Sequence, residues 1–193
     1  MYLGIIKRVP LTAMFLLLFA AADAQPVKSH KYLLNSDLQD NNVSASSNSI
    51  IINYSSSELS LESIANDNGR FYRVAMPGHI PASEPGKPEL PVLSRLISLP
   101  ENSSWTIKIS DVTTSRIKPK RQKFDGVLFP AQEGQTKEPQ TQKPAFRIDK
   151  SVYGSRKFIK SDTVRIEPVG KARGVHLAAL YIYPVTYNPG KNI

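Results

Sequence analysis

Three histidines, His30, His79 and His176, are the first residues to weigh for chemistry, and their spacing argues against it. They stand far apart, with no HExxH, no Cys/His cluster and no acidic calcium loop, so no metal site is expected. Serines are plentiful, but none sits in a GxSxG elbow. No pair of carboxylates stands out as general acid and base, and no glycine-rich phosphate loop occurs. The chain contains no cysteine, which removes thiol catalysis and disulfides together. The expectation is a protein that is not an enzyme and carries no catalytic residue, metal or cofactor.

Charge is the remaining chemical signal. The chain carries a formal net charge of +9, and its densest cluster runs through Arg116, Lys118, Lys120, Arg121 and Lys123. Such a run could hold a polyanion. Only Phe124 lies beside it to stack on a base, so nucleic acid is not the expected partner. A solvated segment, or one facing a partner domain, fits better.

The amino terminus explains where such a protein works. Lys7 and Arg8 precede the uncharged apolar run Leu11–Ala22, and Ala22-Asp23-Ala24 offers small residues where signal peptidase reads. Residues 1–24 are therefore predicted to be an export signal cleaved between Ala24 and Gln25. The apolar run is about a dozen residues, whereas roughly 20 span a bilayer. The mature chain is expected outside the cytoplasm, in the periplasm, at the cell surface or beyond, with no membrane contact after signal removal. Its core must then rely on apolar packing alone.

Strand patterns dominate the rest. Residues 25–49 are polar and rich in Ser and Asn, and are expected as a flexible leader. Strand signals follow at Ile50–Tyr54, Ser57–Ile64 and Arg70–Met76, with Asn66-Asp67-Asn68-Gly69 as a turn. A loop through Pro77–Pro88 precedes the strand Leu90–Leu99, in which Leu90, Val92, Leu93, Leu96 and Ile97 are expected to supply core. Trp105–Ser110 alternates Trp105, Ile107 and Ile109 against Thr106, Lys108 and Ser110, a half-buried strand pattern. Val127–Pro130 is a short apolar island, and Ala131–Pro144 a long polar loop. Thr163–Ile166 and Val175–Val185 read as strands, the last apolar on both faces and hence central. Frequent prolines and no amphipathic helix predict an all-β, antiparallel β-sandwich with long polar loops over residues 50–193.

Three ordered segments resemble the N-terminal propeptide of gingipain-type cysteine peptidases. They are Gly86-Lys87-Pro88-Glu89-Leu90-Pro91-Val92-Leu93-Ser94-Arg95, then Ser151-Val152-Tyr153-Gly154 with Lys157-Phe158 beyond it, then Tyr181–Pro189 with its Tyr187-Asn188-Pro189 ending. Phe129-Pro130-Ala131-Gln132 is a weaker fourth match. The resemblance implies a β-sandwich at the front of a secreted zymogen, of the kind exported by type IX secretion. It would cover the active site of a following cysteine endopeptidase domain, help it fold, and later be cut away. The implied partner is a gingipain-type catalytic domain, met in cis or in trans.

The same resemblance implies a basic residue on a loop that enters the peptidase's specificity pocket. That loop aligns with Phe124–Pro144, where Pro130 stands in the expected basic position and Lys123 or Lys137 could substitute. The chain also stops within the turn Tyr187–Asn192, so the sandwich is expected to be incomplete at its carboxyl end. Two other readings stay open: a non-inhibitory β-sandwich that binds polysaccharide or protein, and a gene fragment.

Overall fold

Alternation of apolar and polar residues settles most of the architecture. A computed structural model describes residues 27–34, 43–46, 49–100, 104–134, 144–159 and 162–193. In chain order its elements are β1 (Ser29–Leu33), β2 (Val43–Ala45), β3 (Ile50–Ile52), β4 (Glu58–Asn66), β5 (Gly69–Ala75), β6 (Ile80–Ala82), β7 (Leu90–Leu99), β8 (Val127–Leu128), the single turn α1 (Lys150–Tyr153), β9 (Val164–Ala172) and β10 (Val175–Ile182). A 3-10 turn spans Pro119–Gln122. Two four-stranded sheets, ordered β1-β4-β5-β8 and β6-β7-β10-β9, accompany the β2-β3 pair. The fold is all-β, as the strand patterns predict. Pairing is antiparallel except where β8 lies parallel to β5.

β4 and β5 form a hairpin whose turn joins Asn66 to Gly69. The Asn66 side chain accepts the Asn68 N–H at 2.9 Å, which stabilises the tight reversal. Inward positions at every second residue place Leu59 and Leu61 of β4 and Tyr72 and Val74 of β5 in one core, with Leu90, Phe124, Leu128 and Tyr187. β10 runs between β7 and β9, and Ala178, Leu180 and Ile182 are buried there. Its apolarity on both faces is therefore that of a central strand. Leu93, Leu180 and Ile182 anchor the second cluster, flanked by Ile97, Val164 and Ile166.

Four expectations need correction. The polar leader is not wholly outside the fold, because β1 lies within it and pairs with β4 from Ser29↔Glu62 to Leu33↔Glu58. His30 and Tyr32 turn inward while Ser29, Lys31 and Leu33 face solvent, a period-2 pattern too short to stand out among polar neighbours. β9 continues to Ala172, well beyond Ile166.

The third correction is Trp105–Ser110, which forms no strand. Trp105, Ile107 and Ile109 are 42%, 40% and 49% exposed and line an open cleft that Leu180 and Val74 also border. Alternation reports which face is apolar, but a strand also needs a backbone partner. Asp111, in the left-handed region at φ 54°, ends the run. The fourth concerns Leu96, which is 61% exposed although Leu90, Val92 and Leu93 are buried. The first half of β7 supplies buried core, whereas in the second half Ile97 packs on the core from a half-buried position and Leu96 faces out.

Candidate functional site

The run that begins at Gly86 acts as a clamp. Gly86 is buried with φ 89°, a conformation that side-chain-bearing residues rarely adopt. Its N–H donates to the Ala131 carbonyl at 2.7 Å, and its own carbonyl accepts the Asp149 N–H at 2.8 Å. A Cβ there would stand 3.3 Å from the Asp149 nitrogen, so the close approach favours glycine. The Ala131 N–H returns to the Lys87 carbonyl at 2.8 Å, and the Glu89 N–H donates to the Phe129 carbonyl at 2.9 Å. Pro88 and Pro130 face each other across this ladder, both almost wholly buried. Neither has an N–H to satisfy, which suits them to a dry position.

The clamp fixes both feet of the segment 133–146. On one side Phe129 is held by its N–H to the Tyr72 carbonyl at 2.8 Å. Its ring meets Phe71 edge-on at 5.6 Å, and Phe146 closes the trio at 5.6 Å from Phe71 and 6.0 Å from Phe129. Arg73 lies over Phe129 and bonds Glu89 at 2.7 Å. Between the feet, the Gln132 amide donates to the carbonyls of Pro130, Ala131 and Arg147 at 2.8, 3.1 and 2.9 Å. Its oxygen accepts the Arg147 N–H at 2.9 Å. The Arg147 guanidinium pairs with Glu133 at 2.5 Å.

α1 continues from this neck. The Asp149 carboxylate caps it, accepting from the Ser151 hydroxyl at 2.6 Å and from the Ser151 and Val152 N–H groups at 2.9 and 3.2 Å. Those bonds hold the carboxyl below its usual range, the Ser151 hydroxyl first among them. Tyr153 then donates to the Leu128 carbonyl at 2.7 Å.

Behind the neck lies a buried polar knot. Tyr72 and Tyr187 both donate to the Asn192 side-chain oxygen, at 2.5 and 2.8 Å, and the Asn192 amide donates to the Gly126 carbonyl at 3.0 Å. Asn188 donates to the Arg156 carbonyl at 2.7 Å. The Asn188 and Ile193 backbones close on each other, so the turn expected at Tyr187–Asn192 forms. The Gly86 run, Tyr153 and the Tyr187-Asn188-Pro189 ending, scattered in sequence, thus converge on β8 and its surroundings.

The knot has a consequence for alkaline pH. Burial first, and neighbouring tyrosine second, push the Tyr72 and Tyr153 phenols far above their usual value, and burial raises Tyr54 to about 12. These groups stay neutral in the folded chain well past the pH at which they ionise unfolded. Their stabilising contribution is complete below pH of about 10 and drains away as pH rises beyond it. A denaturant midpoint that falls steeply above that pH, with phenol absorbance changing in step with unfolding, is the expected result. Gradual phenol ionisation at constant stability would contradict it.

The sequence-derived site residues divide among these places. Pro130, expected on the peptidase-contacting loop, is buried in the clamp opposite Pro88. Lys123 ends the 3-10 turn at φ 59° with an exposed side chain, and its carbonyl accepts the Lys28 ammonium at 2.5 Å. That environment belongs to β1 and Phe124, over whose ring Lys28 lies at 4.7 Å, and not to the neck. Lys137, Ala24 and Gln25 lie outside the described residues. Sequence reasoning passed over Gln132, Arg147, Gly126 and Asn192. Gln132 was within reach, since it ends the weak fourth match. Among the described residues no group of three or more His, Cys, Asp or Glu could hold a metal, and no helix is long and apolar enough to cross a membrane.

An all-β domain whose scattered landmarks converge on one clamp around β8 is the class that fold and site define. The chain belongs to the Propeptide_C25 family, whose model matches residues 23–193, and is accordingly a propeptide domain and not a catalytic one. Among curated proteins it is similar to the Lys-gingipains of Porphyromonas gingivalis, including those of HG66 and W83, at 29% identity over 135 residues. That stretch is 70% of this chain and 8% of those relatives, so the chain spans a small part of their length. Among solved structures, one concerning zymogenic latency of gingipain K from Porphyromonas gingivalis superposes with a TM-score of 0.73 at 27% identity, covering 86% of this chain and 91% of that one. A complex of Porphyromonas gingivalis RgpB pro- and mature domains gives 0.57 at 18% identity, covering 69% and 66%, a likeness of fold.

Proposed function

We propose that this chain is the prodomain of an exported cysteine endopeptidase, which keeps the catalytic domain latent and helps it to fold. The observation that carries this reading is the likeness, over most of both chains, to the structure concerned with zymogenic latency of gingipain K. The contact would be made by the segment between the clamped feet, with Lys137 as the cation offered to the specificity pocket. Lys137 is followed by Glu138 and Pro139, and the fixed φ of the proline lowers the cost of ordering the segment. Lys123 is the second candidate, from its exposed place at the end of the 3-10 turn. Export through the signal 1–24, with Gln25 as the first mature residue, supplies the compartment. The partner is a gingipain-type catalytic domain, in cis or in trans.

Size-exclusion chromatography of the exported chain mixed with the mature catalytic domain of a Lys-gingipain tests the partnership. A one-to-one complex at micromolar concentration is the expected result. Separate elution of two folded proteins at that concentration would overturn it.

A further inference from the structure

The basic run Arg116–Phe124 turns its apolar side chains into the fold and its charged ones out. Pro119 and Phe124 are buried and Ile117 packs on the core, whereas Arg116, Lys118, Lys120, Arg121 and Lys123 are all exposed. The turn that carries them is fixed. The Arg121 and Lys123 N–H groups donate to the Lys118 and Lys120 carbonyls at 3.0 Å, and the Phe124 N–H donates to the Pro119 carbonyl at 3.2 Å. Lys31, Arg73, Lys87, Arg147 and Arg165 each pair with a glutamate elsewhere in the fold. Among the described residues, none of the five cations of the run has a carboxylate partner. A 3-10 turn rises about 2 Å per residue, so residues 118–123 crowd within about 10 Å, close to the Debye length of about 8 Å at physiological salt. Their mutual repulsion is only partly screened, and a bound anion would relieve it. A groove of about 410 Å³ runs beside them and sets the Ser115 hydroxyl and the Gln122 amide next to Arg116, Lys118 and Arg121.

We infer that this face binds an anionic polysaccharide through the charged groups repeated along its chain. The binding stands beside the latency function and does not depend on it. A folded protein surface is the less suitable partner, because interface cores are depleted in Lys and built on apolar or aromatic anchors. The run exposes no such anchor, and Leu33 is the one exposed large apolar side chain along the groove. Nucleic acid is disfavoured by the structure as well as by export. The Phe124 ring is buried with Lys28 lying over it at 4.7 Å, so no base can stack there. A chain of pyranose rings is stiffer than a polypeptide, and so pays less to be ordered along a fixed row of cations. Its hydroxyls also suit the Ser115 and Gln122 side chains, which both donate and accept.

Calorimetric titration of the exported chain with polygalacturonate tests this face, with poly-L-glutamate and neutral dextran alongside. The two polyanions each carry one carboxylate per residue, so they differ in backbone and not in charge. Binding to polygalacturonate is expected, weakening about tenfold or more between about 50 and 200 mM salt as released counterions require. A chain carrying Arg116→Gln, Lys118→Gln, Lys120→Gln and Arg121→Gln should lose about tenfold in affinity. The control carries Lys150→Gln, Lys157→Gln, Lys171→Gln and Arg173→Gln, which remove the same charge from exposed positions elsewhere, and should stay within about twofold of the parent. Should the first chain fail to fold, Lys120→Gln with Arg121→Gln is read in its place, with a loss of about threefold. No binding by the parent chain, or equal losses in the two fourfold chains, would overturn the inference, since equal losses mark diffuse net charge. Neutral dextran bound as well as polygalacturonate would overturn it too. Poly-L-glutamate bound as tightly as polygalacturonate would transfer the face to an acidic polypeptide and so remove the polysaccharide.

Discussion

A Gly126→Ala chain is expected not to accumulate as folded protein. Gly126 sits just before β8 with φ 95°, and a Cβ at that position would lie 1.9 Å from the Arg70 carbonyl oxygen and 2.6 Å from its carbon. The obstacle is backbone at the start of β5, not the end of a flexible side chain, so relief requires β8 to move away from β5. That would break the parallel pairing of Phe71 with Val127 and Tyr72 with Leu128 and withdraw the Gly126 carbonyl from Asn192. Strain at positive φ and a clash with backbone together cost more than about 4 kcal/mol, a large part of the stability of an ordinary domain. Soluble yield and the circular-dichroism melt check it. A melting temperature within about 3 °C of the parent's would show that β8 is not held as described.

Asn192→Ala carries the second largest effect. Its side chain satisfies two buried phenols and one carbonyl at once, and its removal leaves the Tyr72 and Tyr187 hydroxyls competing for what remains. Tyr187 retains a long contact from the Leu128 N–H at 3.4 Å and the two phenols retain each other, which is less than the shared amide oxygen supplies to both. Stranding such groups costs about 3 kcal/mol in total, or a fall of about 6–12 °C in melting temperature for a chain of this size. Lys191→Ala, one residue away and exposed, is the control and should stay within about 0.5 kcal/mol of the parent. Equal melting temperatures for both variants would remove the knot from the account of stability.

These two positions mark the limit of what the sequence makes legible. Strands whose apolar residues alternate or run continuously, such as β5, the first half of β7 and β10, are visible because burial selects residue type directly. Tertiary partners are not visible in that way. Trp105, Ile107 and Ile109 alternate as well as any strand in the chain yet have no partner, while Tyr32 in β1 finds one from within a polar leader. Leu96 resembles Leu93 in sequence and differs only in what stands over it. The site shows the same division. Gly86, Tyr153 and Tyr187 are legible as family landmarks, and the fold brings all three to the surroundings of β8. Pro130 occupies the position where a basic residue was expected, and its burial shows that it serves the ladder beneath the segment. The residues that tie the segment and the knot, Gln132 and Asn192, look like ordinary polar residues. Their importance lies in carbonyls contributed by distant parts of the chain, which no single-sequence pattern records.

The central claim is that this propeptide domain holds a peptidase latent, and inhibition kinetics test it most directly. The exported chain is titrated into a mature Lys-gingipain cleaving a small lysyl substrate, with Lys137→Ala and Lys123→Ala chains alongside. The account predicts inhibition competitive with that substrate at submicromolar concentration, weakened at least tenfold in Lys137→Ala and little changed in Lys123→Ala. Full peptidase activity in the presence of an excess of folded parent chain would contradict it.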